Sequence, residues 1–298
     1  MRKKLTAVFL AATMLLTSGV TVFADRVDAV IDKPYLALGA DLSPQEQMTV
    51  LSLLGLSDIN VDDYDIISIT NADEHEYLDK YLDASIIGTR ALSSVLVVGK
   101  EAGNGIHVTT KNISYCTEGM YRNALLTAGI EDADITVAGP FSISGTAALV
   151  GAIKAYETMT GEEIDDENLD AANDELVLTG KLVEDIGDSE KAEDLMALVK
   201  QEVAENKLTS AEDIQNVVDQ ACDQLDIQLS EENQKQIAEL MKKIEGLDLD
   251  VDKLKDQAKD LYQKLEDLDF HVDKESVGNF FTRIIDAIVN FFQGLFGK

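Results

Sequence analysis

Pro140 is the last proline in the chain, and the pattern of the sequence changes just after it. From Thr146 onward apolar residues recur at helical spacing and no strand-like run appears. Before it, short β-branched runs alternate with helix signals. A chain written this way folds as strands and helices first and as helices alone afterwards.

The first part resolves into elements. Ser43-Pro44-Gln45-Glu46 is a capping box with proline at the first helical position, and predicts a helix through Leu54. Tyr64 to Thr70, Ser94 to Gly99, Ile106 to Ser114 and Ile135 to Ala138 read as strands. Asn71 to Leu82 and Thr117 to Gly129 read as helices between them. The order β-α-β-β-α-β predicts an α+β chain. Its N-terminal part, residues 25–145, is expected to be a ferredoxin-like sandwich of one sheet and two helices.

Residues 146–272 are expected to form an acidic all-helical region, a bundle or a hairpin. Thr209-Ser210-Ala211-Glu212 is a second capping box and Ser230 opens a further helix. Ile237, Leu240, Ile244, Leu247, Val251, Leu254, Ala258, Leu261, Leu265 and Leu268 then step by three and four, as in a coiled coil. Gly246 breaks this seam, and Asp248 or Asp250 caps its second half. Burial inside the same chain and pairing between chains would both use it.

The N-terminus indicates the compartment. Arg2, Lys3 and Lys4 precede an apolar run, and Val22-Phe23-Ala24 ends it with small residues at the cleavage positions. Residues 1–24 read as a secretory signal peptide, so the protein is expected to be secreted, outside the cell or at its surface. The formal net charge is −31, and cleavage would remove those three basic residues. A field of this sign repels phosphate backbones, so nucleic acid is not an expected partner. Cys116 and Cys222 are the two cysteines. They either pair across a long loop or remain buried thiols.

Candidate sites are few. "GPFSISGTAALVGAIKAY" (139–156) matches neither a nucleophile elbow nor a phosphate loop. It reads as a turn into a helix with Ser142 or Ser144 as cap, and Ala147, Ala148, Gly151 and Ala152 permit close packing. Ser142, Ser144 and Gly145 at that helix start form a candidate anion site. His75, Asp79 and Asp83 step by four, which on a continuous helix places a metal-ligand set on one face. The ordinary reading is a solvated acidic face. "DLDVDK" (248–253) begins like a calcium loop but has Lys253 where glycine is required and Lys259 where the bidentate glutamate should be. No cofactor is expected, beyond weak association of Ca²⁺ with the acidic surface.

The C-terminal segment, 273–298, is the most distinctive. Phe280, Phe281, Ile284, Ile285, Ile288, Phe291, Phe292, Leu295 and Phe296 make one apolar helical stripe with five phenylalanines. Arg283, Asp286, Asn290 and Gln293 occupy the other side, which does not suit a membrane-spanning helix. Three uses remain for it: packing on the chain's own bundle, lying in a membrane interface, or joining copies into an oligomer.

Several blocks together resemble a known family: "ALGADLSPQEQMTVLSLLG" (37–55), "YLDASIIGTRALSSVLV" (81–97), "NISYCTEGMYRNALLTAGI" (112–130), "PFSISGTAALVGAIKAYETMTG" (140–161) and "LDLDVDKLKDQAKDLYQKL" (247–265). The chain is similar to the YpuA-like secreted Gram-positive family, domain of unknown function 1002. The resemblance implies an extracytoplasmic protein of this length and carries no catalytic or binding residue onto it. Cys116 lies inside a matching block and Cys222 outside.

The resulting expectation is a secreted, acidic, non-enzymatic binding protein of the cell envelope. Its partner would be an envelope component, another protein or a membrane surface, met through the C-terminal helix. The competing expectation is an extracytoplasmic hydrolase with a carboxylate site.

Overall fold

A computed structural model describes residues 33–57, 60–161, 163–247 and 249–255. The expected leader and the phenylalanine-rich segment from Phe280 to Phe296 lie outside the described residues.

The first half contains β1 (Tyr35–Gly39), α1 (Pro44–Leu53), β2 (Asp65–Ile69), α2 (Asn71–Leu78), α3 (Ala84–Ile87), β3 (Ser94–Gly99), β4 (Ile106–Ile113), α4 (Glu118–Thr127) and β5 (Ala133–Ile143). Then come α5 (Thr146–Thr160), α6 (Asp166–Ile186), α7 (Ser189–Asn206), α8 (Ala211–Gln224) and α9 (Glu231–Glu245). The fold is α+β with one mixed sheet.

Helix caps form at or within one residue of the expected positions, with Ser210 in place of Thr209 at α8. Ser43 and Glu46 form the reciprocal cap of α1. Thr70, one residue before the expected start, caps α2 through Asp73. Thr117, Ser210 and Ser230 each accept a backbone N–H at the start of α4, α8 and α9.

The sheet differs from the ferredoxin-like expectation. It has five strands in the order β2-β1-β3-β5-β4. β1 pairs parallel with β2 and β4 parallel with β5, while β3 runs antiparallel between β1 and β5. Two β-α-β units thus flank one reversed strand. The short link from β3 to β4 does not close a hairpin, because β5 lies between them. The reason is burial. β5 is buried through much of its first seven residues, as a central strand must be, whereas β4 alternates between covered and exposed positions and suits an edge. Asp132 reinforces this register by accepting the N–H groups of Gly103 and Gly105 just before β4.

α5 packs against β1, β2 and β3. Its residues Ala147, Ala148 and Ala152 share one core with the sheet, so the sheet's own layer extends beyond residue 145. Gly151 makes the approach close: a Cβ there would lie 2.8 Å from Cβ of Ala37. α1 covers the other face through Val50 and Leu54 on Leu36 and Ala138. A separate core joins α6, α7, α8 and α9. α6 belongs to both, with Ala172 and Leu176 toward the sheet and Leu178 and Leu182 toward the bundle. Ile237, Leu240 and Ile244 of the coiled-coil-like seam are buried in that bundle. Cys116 and Cys222 are free, buried and in different cores.

Candidate functional site

The start of α5 is arranged differently from the serine-capped turn. Gly145 itself is the N-cap, at φ 100°, and no side chain caps from that position. A Cβ on residue 145 would lie 2.7 Å from the Tyr121 hydroxyl, so the close approach and the positive φ both require glycine. Ser142 is exposed, and Ser144 Oγ lies 3.2 Å from Thr146 Oγ1. Thr146 donates to Glu74 Oε1 at 2.7 Å, and Asn71 Nδ2 donates to Glu74 Oε2 at 3.1 Å. The first turn of α5 therefore meets a carboxylate from the chain itself. Burial raises the Glu74 pKa against these hydrogen bonds. Next to it, burial and then Glu74 push the Cys116 thiol up to about 12, which makes it a poor nucleophile.

His75, Asp79 and Asp83 do not share a helix face. α2 ends at Leu78, Asp79 is its C-cap, and Asp83 precedes α3. His75 Nδ1 lies 2.6 Å from Asp79 Oδ1, and that hydrogen bond raises the imidazole pKa. Among the described residues no group of three His, Cys, Asp or Glu side chains is placed to hold a metal ion. In "DLDVDK", Asp250 Oδ1 accepts the N–H groups of Asp252 and Lys253, which makes Asp250 a helix cap. Lys253 Nζ pairs with both oxygens of Asp132 at 2.7 and 2.6 Å. The residue that departs from the calcium-loop pattern thus ties the helical turn at 251–255 to the start of β5.

The structure also brings together residues that the sequence pattern did not single out. Where α4, α6 and α7 meet, Lys200 is fully buried. Its Nζ donates to Glu175 Oε1 at 2.9 Å, Thr127 Oγ1 at 3.0 Å and the Asn123 carbonyl at 3.0 Å. Thr127 in turn donates to Glu175 Oε2 at 2.5 Å. Burial lowers the Lys200 pKa while Glu175 opposes that shift. Farther along α7, Gln201 donates to Glu205 at 2.6 Å, and Glu205 pairs with Lys255 at 3.0 Å. Glu202 accepts from Asn206, yet its Oε1 is buried without a hydrogen-bond partner among the described residues, as are Gln201 Oε1 and Arg122 Nε. Burial first, and the Glu205 charge second, raise the Glu202 pKa to about 7. One signal did exist in the sequence: Lys200 lies on the helix face of Met196 and Val203, both fully buried.

Glu202 predicts a specific pH dependence. Its folded-state pKa lies above the usual carboxylate value, so the folded state binds the extra proton. Its contribution is complete below about pH 4, is lost as pH rises toward 7, and amounts to about 2–3 kcal/mol over that window. Glu202→Gln is expected to raise stability at pH 8 and to flatten this slope. Urea titrations at pH 5 and pH 8 check it, and an unchanged slope would refute the assignment.

The chain matches, over residues 38–261, the family described as Protein of unknown function (DUF1002). It is 39% identical over 296 residues to the uncharacterized protein YpuA of Bacillus subtilis (strain 168), covering 98% of this chain and 100% of that protein. No solved structure matches it. A family match across most of the described fold and an alignment with YpuA along nearly the full length agree, and this chain belongs to the DUF1002 family.

Proposed function

We propose that the chain is a secreted, acidic, non-enzymatic binding protein of the cell envelope, docked through its C-terminal amphipathic segment to a membrane surface. The observation that carries this reading is the stripe of five phenylalanines between Phe280 and Phe296 on an otherwise strongly acidic chain. The Asp132–Lys253 pair, with each side chain 13% exposed, sets the point from which the rest of the chain continues. With about 2 kcal/mol from each fully buried phenylalanine, apolar area supplies the attraction that charge does not.

Flotation with neutral liposomes tests this, comparing the full chain with one ending before Ser276. The full chain is expected at the top of the gradient and the shortened one at the bottom. Equal flotation overturns the proposal. A full chain that stays at the bottom as a defined oligomer assigns the stripe to contacts between copies instead.

One observation favours an extracytoplasmic hydrolase as second reading: the Glu202 carboxyl is buried on α7 with Oε1 unpartnered among the described residues, and burial raises its pKa to about 7, in the range of a general acid or base. A hydrolytic activity abolished by Glu202→Gln in a folded protein would establish it.

A further inference from the structure

β2 is an outer strand of the sheet, with β1 on one side and no strand on the other among the described residues. Its pairing shows which groups are left over. The Asp65 N–H donates to Pro34, and the Ile69 carbonyl accepts from Ala40, so Asp65, Ile67 and Ile69 direct their backbone groups toward β1. Ile66 and Ser68 alternate with them and direct theirs outward. Both are exposed, and Ile66 is one of the large apolar side chains left 41% exposed. β2 is short and begins with a charged residue, Asp65, but its remaining four positions carry no charge, proline or bulge. Acidic residues stand at its start, Asp62, Asp63 and Asp65, where Lys33 Nζ also donates to the Asp62 carbonyl.

We propose that the outer edge of β2 is a docking site for an extended peptide segment of a partner, apolar along the strand and basic at the end that meets Asp62 and Asp63. A strand laid there completes the hydrogen bonds of Ile66 and Ser68, covers the Ile66 side chain and sets its basic residues against Asp62, Asp63 and Asp65. Charge decides against a second copy of this chain as the occupant, since each copy carries a formal net charge of −31. The proposed contact uses no residue of the C-terminal segment, so it stands or falls independently of membrane docking.

The probe is a fluorescent synthetic peptide of alternating valine and threonine flanked by lysines, titrated with the full chain and followed by anisotropy. Its counterpart carries glutamates in place of the lysines. Ser68→Pro removes an outward N–H that has no strand partner among the described residues, so the pairing with β1 is retained while the docking edge is blocked. Binding of the basic peptide, slowed amide exchange at Ile66 and Ser68, and a loss of roughly tenfold or more in affinity with Ser68→Pro are expected. No binding, equal binding of the acidic peptide, or undiminished binding to folded Ser68→Pro would overturn the proposal. So would pairing of β2 between copies of the chain seen by sedimentation and exchange without peptide.

Discussion

Lys200→Met is expected to destabilise the protein by about 3–5 kcal/mol in urea titration, the cost of stranding a buried charge. Lys200 and Glu175 are both fully buried, so no water replaces the lost ammonium. The carboxylate would retain the Thr127 hydroxyl as hydrogen-bond donor and lose the ammonium paired with it. The side chain also spans the place where three helices meet, so its loss weakens contacts on both sides. Combining Lys200→Met with Glu175→Leu removes both charges and is expected to recover at least half of the loss, because a buried pair adds little over packed apolar groups. A single substitution costing less than about 1 kcal/mol would show that the pair is not desolvated in solution. A double variant no more stable than Lys200→Met would show that packing, not the stranded charge, governs the site.

Gly151→Ala is expected to cost about 1–3 kcal/mol through overpacking. The new methyl would meet Cβ of Ala37 at 2.8 Å and Cγ1 of Val95 at 3.1 Å, on two adjacent strands. A methyl on a strand moves only with its backbone, so α5 must lift from the sheet or the sheet must yield. Ala37→Gly transfers the space to the opposite side of the contact. It carries its own cost of about 0.5–1 kcal/mol for glycine in a strand. The pair together is expected to be more stable than the sum of the two single losses implies. Thermal melts of the four proteins check this; simple additivity would mean that α5 and β1 do not touch closely at this point.

Part of the candidate site was legible and part was not. The small residues Ala147, Ala148, Gly151 and Ala152 signalled a close helix contact, and the structure places them against the sheet. The turn before them was misjudged at its cap. Gly145 takes the position expected for a serine because Tyr121, 24 residues earlier, donates to its carbonyl and leaves no room for a Cβ. His75 and Asp79 do meet, as four-residue spacing requires. Asp83 does not join them, since the helix ends before reaching it. Lys200 and Glu175 went unremarked because neither has a partner nearby in sequence.

The sequence by itself determined the caps of α1, α4 and α9, the helical character of the described residues beyond 146, and the acidic charge of the whole. Each depends on residue type and on neighbours three or four positions apart, where chain connectivity already holds the partners close. Only the tertiary structure decided the strand order, the attachment of α5 to the sheet, and the burial of Lys200 against Glu175 and Thr127. Those partners lie 25 and 73 residues away in the chain. Their meeting depends on which surfaces exclude water together, and local pattern does not encode that choice.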